Sequence, residues 1–222
     1  MPVPHFEIQN LDFAYAAGAS VFNNASARIE IGEFVVLEGP SGTGKSTLLR
    51  LLCRLEEPSS GNILLRGRSL GDLDPVQLRT RVCLIQQTPT VIEGSVRANL
   101  LLPLSFKANH EITRPSDAEL RSRLDDFLLT DVRLEQPAAA LSVGQKQRLC
   151  LIRALLLSPE ALLFDEPTSA LDKKSAGIVM QTAMQLNREH GITCVLVTHA
   201  LSPADLPGAT VLHVRGNQLE RA

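Results

Sequence analysis

Apolar and polar positions along the chain fall into two periods, and the switches between them divide it into elements. Phe6, Ile8, Leu11 and Phe13 alternate roughly, as in a half-buried strand that ends at Tyr15, the only tyrosine. A turn is expected at Gly18-Ala19-Ser20. Residues 28–37 then predict two strands joined at Gly32-Glu33, the second closing on the wholly apolar Phe34-Val35-Val36-Leu37. Apolar residues at 48, 51, 52 and 55 have helical spacing, and the cluster from Glu56 to Gly61 is a dense turn signal before a short strand at 62–67. Asp74-Pro75 opens a short helix, and Val82-Cys83-Leu84-Ile85 is a buried strand that stops at Gln86-Gln87. Helical patterns at 94–100 and 117–129 flank a polar, proline-containing link at 107–116. From Leu141 a strong helix places Leu149, Ile152 and Leu156 on one face, with Ser142 as its N-cap. Two further buried strands follow, at 161–164 and 193–197. Between them a helix runs to about His190 and stops at Gly191, and the tail reads as a hairpin around Gly216-Asn217.

Apolar strands alternating with helices predict an α/β domain with a mostly parallel sheet, preceded by antiparallel N-terminal strands. The expected organisation is one domain over residues 1–222, with a core at 1–87 and 158–222. The stretch at about 88–157 is an inserted, mostly helical lobe. A formal net charge of −2 with 21% charged residues gives no reason to expect nucleic acid or an anionic membrane as direct partner. The apolar runs fall well short of the ~20 residues that span a bilayer. Nothing at the N-terminus resembles a signal peptide, so a cytosolic chain is expected. Four cysteines, at 53, 83, 150 and 194, show no C-x-x-C and lie in apolar stretches, as buried free thiols do.

Chemistry concentrates at the ends of the predicted strands. Gly39-Pro40-Ser41-Gly42-Thr43-Gly44-Lys45-Ser46-Thr47 follows a buried strand and opens a helix. Its glycines let several backbone N–H groups face one hollow, where the helix adds its positive end, and such a hollow suits polyphosphate. Lys45 can reach the β- and γ-phosphates, and the Ser46 hydroxyl can ligate a bridging Mg²⁺. Asp165 and Glu166 end another strand: the first can hold the metal, the second can orient or deprotonate the attacking water. Gln87, also past a strand end, can touch the metal or that water. His199 can donate to a γ-phosphate oxygen. Tyr15 can stack on a base or serve as an ordinary rim tyrosine. Ser142, Gly144 and Gln145 open a helix and offer either a second anion site or plain capping. Asp172 can serve at the nucleotide or simply as a helix-start acid. His5, His110, His190 and His213 receive no role.

Taken in order, these motifs resemble the nucleotide-binding subunit of ATP-binding cassette (ABC) transporters over nearly the whole chain. The resemblance implies an ABC ATPase fold, ATP and Mg²⁺ as ligands, and a role for each motif. Tyr15 corresponds to the adenine-stacking aromatic, residues 39–47 to Walker A, Gln87 to the Q-loop glutamine, and residues 162–165 to Walker B. Gln87 rather than Gln86 matches because the family places its glutamine two before a proline, here Pro89. Glu166 corresponds to the catalytic glutamate, residues 169–172 with Asp172 to the D-loop, and His199 to the switch histidine. Lys45, Gln87, Glu166 and His199 would form the catalytic set, with Ser46, Gln87 and Asp165 at the metal. The signature Leu-Ser-Gly-Gly-Gln appears as Leu141-Ser142-Val143-Gly144-Gln145, and Val143 departs from the pattern. The resemblance further implies a homodimer closed around two sandwiched ATP molecules and a separately encoded multi-pass permease. It places the subunit peripherally at the cytoplasmic face of the membrane. Residues 87–90 and 94–100, with Pro103, are similar to those of the small FetA-type cassettes, for which iron or metal export has been proposed. The alternative is a soluble ABC ATPase that remodels or regulates a cytosolic protein or nucleic-acid complex. A GTPase or small-molecule kinase would lack an Asn-Lys-x-Asp motif here and leave 141–145 without a role.

Overall fold

The computed structural model describes residues 3–16, 18–199 and 205–222. Two sheets carry the fold. Strands β1 (Phe6–Ala14), β2 (Ser20–Ile29), β4 (Ser60–Leu65) and β5 (Arg68–Ser69) form an antiparallel sheet in the order β2-β1-β4-β5. A six-stranded sheet has the order β10-β9-β3-β8-β7-β6, built from β3 (Phe34–Glu38), β6 (Val82–Ile85), β7 (Ala161–Asp165), β8 (Thr193–Val197), β9 (Thr210–Arg215) and β10 (Gln218–Arg221). All its pairings are parallel except the terminal hairpin β9–β10.

The helices are α1 (Lys45–Leu52), α2 (Pro75–Arg81), α3 (Val96–Leu101), α4 (Asp117–Asp126), α5 (Val143–Leu155) and α6 (Lys173–His190). Their starts follow local chemistry. Asp74 accepts from the N–H groups of Val76 and Gln77 ahead of α2, and Ser116 with Glu119 forms a capping box on α4. Gly191, in left-handed conformation, ends α6 where a terminating glycine was expected.

The largest departure from the expected boundaries lies in the N-terminal pair of strands. The second strand of the N-terminal pair begins at Ser20, inside the expected turn, rather than near Arg28. Its buried positions, Phe22, Ala25 and Ile29, do not alternate, because the ladder shifts register where Asn10 and Asn24 adopt positive φ (48° and 52°). The same shift on β1 puts Leu11 rather than Asn10 into the core.

The six-stranded sheet is covered on both faces, so its central strands read as continuous apolar runs. Val35 and Leu37 join the core under α1 and the antiparallel sheet, whereas Phe34 and Val36 join the core under α5 and α6. That second cluster continues through Leu100, Leu120, Leu124 and Leu134, so the helical stretch packs on the sheet without a break in the apolar interior. His5, given no role by its sequence, is fully buried: its ring stacks on Phe6 and its Nδ1 lies 2.6 Å from Thr193 Oγ1. All four cysteines are free and buried, and burial pushes the Cys83 and Cys194 thiols up to about 12.

Candidate nucleotide site

Parallel pairing sets β3, β8, β7 and β6 side by side, with Leu37 opposite Val197 and Asp165 opposite that same Val197. Whatever follows each strand is therefore gathered along one edge, the carboxyl edge where open α/β sheets bind ligands. The phosphate loop follows β3, Glu166 ends the stretch begun by β7, His199 follows β8, and Gln87 follows β6.

The loop's glycines are required by contacts as well as by torsion. At Gly39 (φ 155°) a Cβ would sit 2.3 Å from the carbonyl oxygen of Val214, and at Gly44 (φ 103°) it would sit 2.4 Å from Val21 Cγ1. β2 and β9 thus clamp the loop from both sides. Lys45 is buried and its ammonium donates to the carbonyls of Gly39 and Pro40, each at 2.8 Å. Burial holds its pKa below the usual lysine value, against the opposing pull of Glu166 and Asp165. The Thr43 hydroxyl donates to Pro40, which closes the loop on itself. Ser46 donates to Asp165 Oδ1 at 2.6 Å and so joins the start of α1 to the end of β7.

Three more predicted residues meet at the next position along the edge. Gln87 Nε2 donates to Glu166 Oε2 (3.4 Å) and to Ser169 Oγ (3.1 Å), and His199 Nε2 lies 3.5 Å from Glu166 Oε1. Glu166 holds a left-handed φ of 47°, rare for a residue with a side chain, and its N–H donates to Val197. Strain of this kind costs on the order of 1–3 kcal/mol and collects at functional positions. Tyr15, 41% exposed, meets the Phe13 ring edge-on, and its hydroxyl is hydrogen-bonded to Thr47 Oγ1 at 3.0 Å. Tyr15, Ser41, Gly42, Gly44, Lys45, Glu166 and His199 all line one cleft of about 480 Å³.

Ser142, Gly144, Gln145 and Asp172 do not line that cleft. Ser142 Oγ accepts from Gln145 N–H while Gln145 Oε1 accepts from Ser142 N–H, a complete capping box. Asp172 caps α6 by accepting from Lys174 and Ser175, contacts that hold its carboxyl below the usual range. The two helix starts adjoin, since a Cβ on Gly144 would lie 2.8 Å from Ser175 Oγ. Val143 has an ordinary helical start and is 46% exposed, so no positive φ is needed there. Val21 was not anticipated as a site residue, and Ser169 was expected only as part of the 169–172 segment; both act through contacts with residues far away in sequence.

The donors fit a magnesium ion. Ser46 and Asp165 offer hard oxygens side by side, and among the described residues no group of three or more His, Cys, Asp or Glu could hold a metal unaided. Mg²⁺ characteristically takes one or two protein oxygens and completes its shell with phosphate and water.

The family profile described as ABC transporter matches residues 22–169. This chain belongs to the ABC transporter family. It is an ABC ATPase, an ATP-binding cassette whose hydrolysis of ATP is coupled to transport. The chain is 37% identical over 196 residues to the probable iron export ATP-binding protein FetA of Escherichia coli K12, covering 88% of this cassette and 85% of that protein. It is 35% identical to ABC multidrug transporter E of Aspergillus fumigatus over 95% of this cassette, but spans only 17% of that longer protein. The dimeric ATP-binding cassette MJ0796, solved bound to ADP and Pi in a post-hydrolysis state, superposes with a TM-score of 0.81 at 31% identity, covering 97% of each chain. Tyr15, Asp172 and His199 lie outside the matched stretch of the cassette. No helix among its described residues is long and apolar enough to cross a membrane.

Proposed function

We propose that two copies of this cassette close around two ATP molecules, each held by the cradle of one copy and the signature segment of the other, and that closure drives a separate multi-pass permease. The observation that carries this reading is the split of the site: Walker A, Asp165, Glu166, Gln87 and His199 converge in one chain, while Ser142, Gly144 and Gln145 stand apart at a helix start whose Ser142 and Val143 are exposed. A second copy supplies what the first lacks. The dimeric state of MJ0796 bound to ADP and Pi supports it.

In this reading Tyr15 stacks on the adenine and the N–H groups of residues 41–46 receive the phosphates. Lys45 exchanges two carbonyl acceptors for β- and γ-phosphate oxygens, a gain in charge complementarity for a partly desolvated ammonium. Ser46, Asp165 and the Gln87 amide oxygen would hold magnesium, which when bound neutralises charge on the bridging phosphates. Glu166 orients and deprotonates water, and the proton stays on its carboxyl. His199, 3.5 Å from that carboxylate, donates to the γ-phosphate and steadies Glu166. A second groove, about 200 Å³, lies beside residues 86–90 and includes Arg79, Arg153 and Pro103, and we assign it to a cytoplasmic helix of the permease. Similarity to FetA makes iron or metal export the first cargo to assay.

Light scattering of the Glu166→Gln protein at millimolar ATP and Mg²⁺ should show a dimer that ADP does not support. A monomer under both nucleotides would overturn the proposal. Recovery of a multi-pass protein with the tagged cassette from membranes tests the second half, and repeated failure to recover one counts against it.

A further inference from the structure

We propose that Ser169 is a positioning residue that sets the polarity of the Gln87 amide, so that its oxygen rather than its nitrogen faces the magnesium site. This rests on the reading of Gln87 as a metal ligand given above.

The argument is one of donors and acceptors. Gln87 Nε2 sits 3.1 Å from Ser169 Oγ and 3.4 Å from Glu166 Oε2. An amide side chain could in principle turn either end toward these neighbours. The Glu166 contact, at 3.4 Å, is at the limit of a hydrogen bond, so the shorter one to Ser169 decides the orientation. The Glu166 carboxylate can only accept. Ser169 has one hydroxyl proton, and it is committed to the Glu166 backbone carbonyl at 3.1 Å, so toward Gln87 its oxygen too can only accept. Two acceptors demand the NH₂ end, and the amide oxygen is left to face elsewhere. Reversed, the amide would set an oxygen against a carboxylate and turn its NH₂ toward a cation. The carbonyl that orients Ser169 belongs to the strained residue Glu166 (φ 47°), so the backbone twist at the catalytic position also fixes the hydroxyl. The serine lies at the head of the segment that runs to Asp172 and the start of α6, beside the signature helix at Gly144. Movement of that segment would therefore reach the metal site through one hydroxyl.

Outer-sphere partners that orient a metal ligand typically change metal affinity by about tenfold or more when removed. The test compares affinity for the non-hydrolysable analogue AMP-PNP, by titration calorimetry, in EDTA and in saturating Mg²⁺, for the parent protein, Ser169→Ala and Ser169→Thr. In EDTA all three should bind alike. The gain on adding Mg²⁺ should shrink about tenfold in Ser169→Ala and return in Ser169→Thr, which keeps the hydroxyl. An undiminished gain in Ser169→Ala overturns the inference, as does a parallel fall of both affinities, which would mark a merely structural serine. Failure of folded Ser169→Thr to restore the gain also overturns it. A parent protein that shows no magnesium-dependent gain would instead strike the assignment of the metal site itself, so the two failures are distinguishable.

Discussion

The two halves of the proposed ATP site are built by different means. On the cradle side, groups far apart in sequence hold one another: Ser46 reaches Asp165, Gln87 reaches Glu166 and Ser169, and His199 lies against Glu166. On the signature side, Ser142 and Gln145 cap each other within one helical turn. Four adjacent strands are needed to make the first half, whereas three residues of one helix make the second. The cradle should therefore fail when the fold around it is disturbed, and the signature should fail only when a partner is asked to use it.

The largest expected effect is on the cradle side. Glu166→Gln should lower turnover by roughly 10²–10⁴-fold while ATP binding persists, the range that loss of a general base produces. A steady-state ATPase assay checks it, and a parent-like rate would remove Glu166 from the chemistry. A glycine pair then sets the halves directly against each other. Gly39→Ala drives a Cβ into the backbone of β9 at 2.3 Å and should cost about 3 kcal/mol, along with ATP binding. Gly144→Ala meets the side chain of Ser175 at 2.8 Å in an ordinary helical backbone, and should cost about 1 kcal/mol. Melting curves and ATP titration on the monomer should separate them: Gly144→Ala keeps binding and loses only ATP-driven pairing. Equal loss of monomer binding in both would erase the distinction between the halves.

The same contrast explains what could be read before the structure. The cradle was legible because each of its pieces follows an apolar strand, and parallel strands bring their ends together whatever their separation in sequence. The long β2 was misread at its start because two asparagines with positive φ break the alternation on which strand recognition rests. Ser142 was legible only as an ambiguity: capping and phosphate binding ask for the same residue at the same place. Ser169 was legible only as the head of the 169–172 segment, and its contact with Gln87, 82 positions away, left no signal. His5 was equally silent, as only the fold reveals that Thr193, 188 positions away, receives it.

His5 offers a pH probe that acts on the shared scaffold rather than on either half. Burial, then the charge of Arg66, with Arg81 adding and Glu160 opposing, lowers its pKa from 6.5 to about 4, and its Nε2 has no hydrogen-bond partner among the described residues. The folded state thus favours the neutral ring. Its contribution is complete above about pH 6.5, declines as pH falls towards 4, and changes no further below that. The whole span amounts to at most about 3 kcal/mol. Urea unfolding of parent and His5→Gln between pH 7 and pH 4 should show the steeper decline in the parent, and parallel curves would dismiss the histidine as the cause.

The smallest effect is the one that bears most directly on the comparison. Ser142→Ala removes the acceptor of the Gln145 N–H and should destabilise the monomer by about 1 kcal/mol, the usual worth of a serine cap. Because the cradle does not touch Ser142, ATP affinity of the monomer should stay within about twofold of the parent, a difference of only ~0.4 kcal/mol. If Ser142 is only a cap, Ser142→Asp, which also caps helices well, should restore stability and ATP-driven pairing together. If its hydroxyl also meets a phosphate across the pair, Ser142→Asp should restore the melting temperature while a carboxylate facing triphosphate blocks pairing. Thermal melts and light scattering on the same two variants therefore decide whether the signature serine serves its own helix alone or the nucleotide of its neighbour as well.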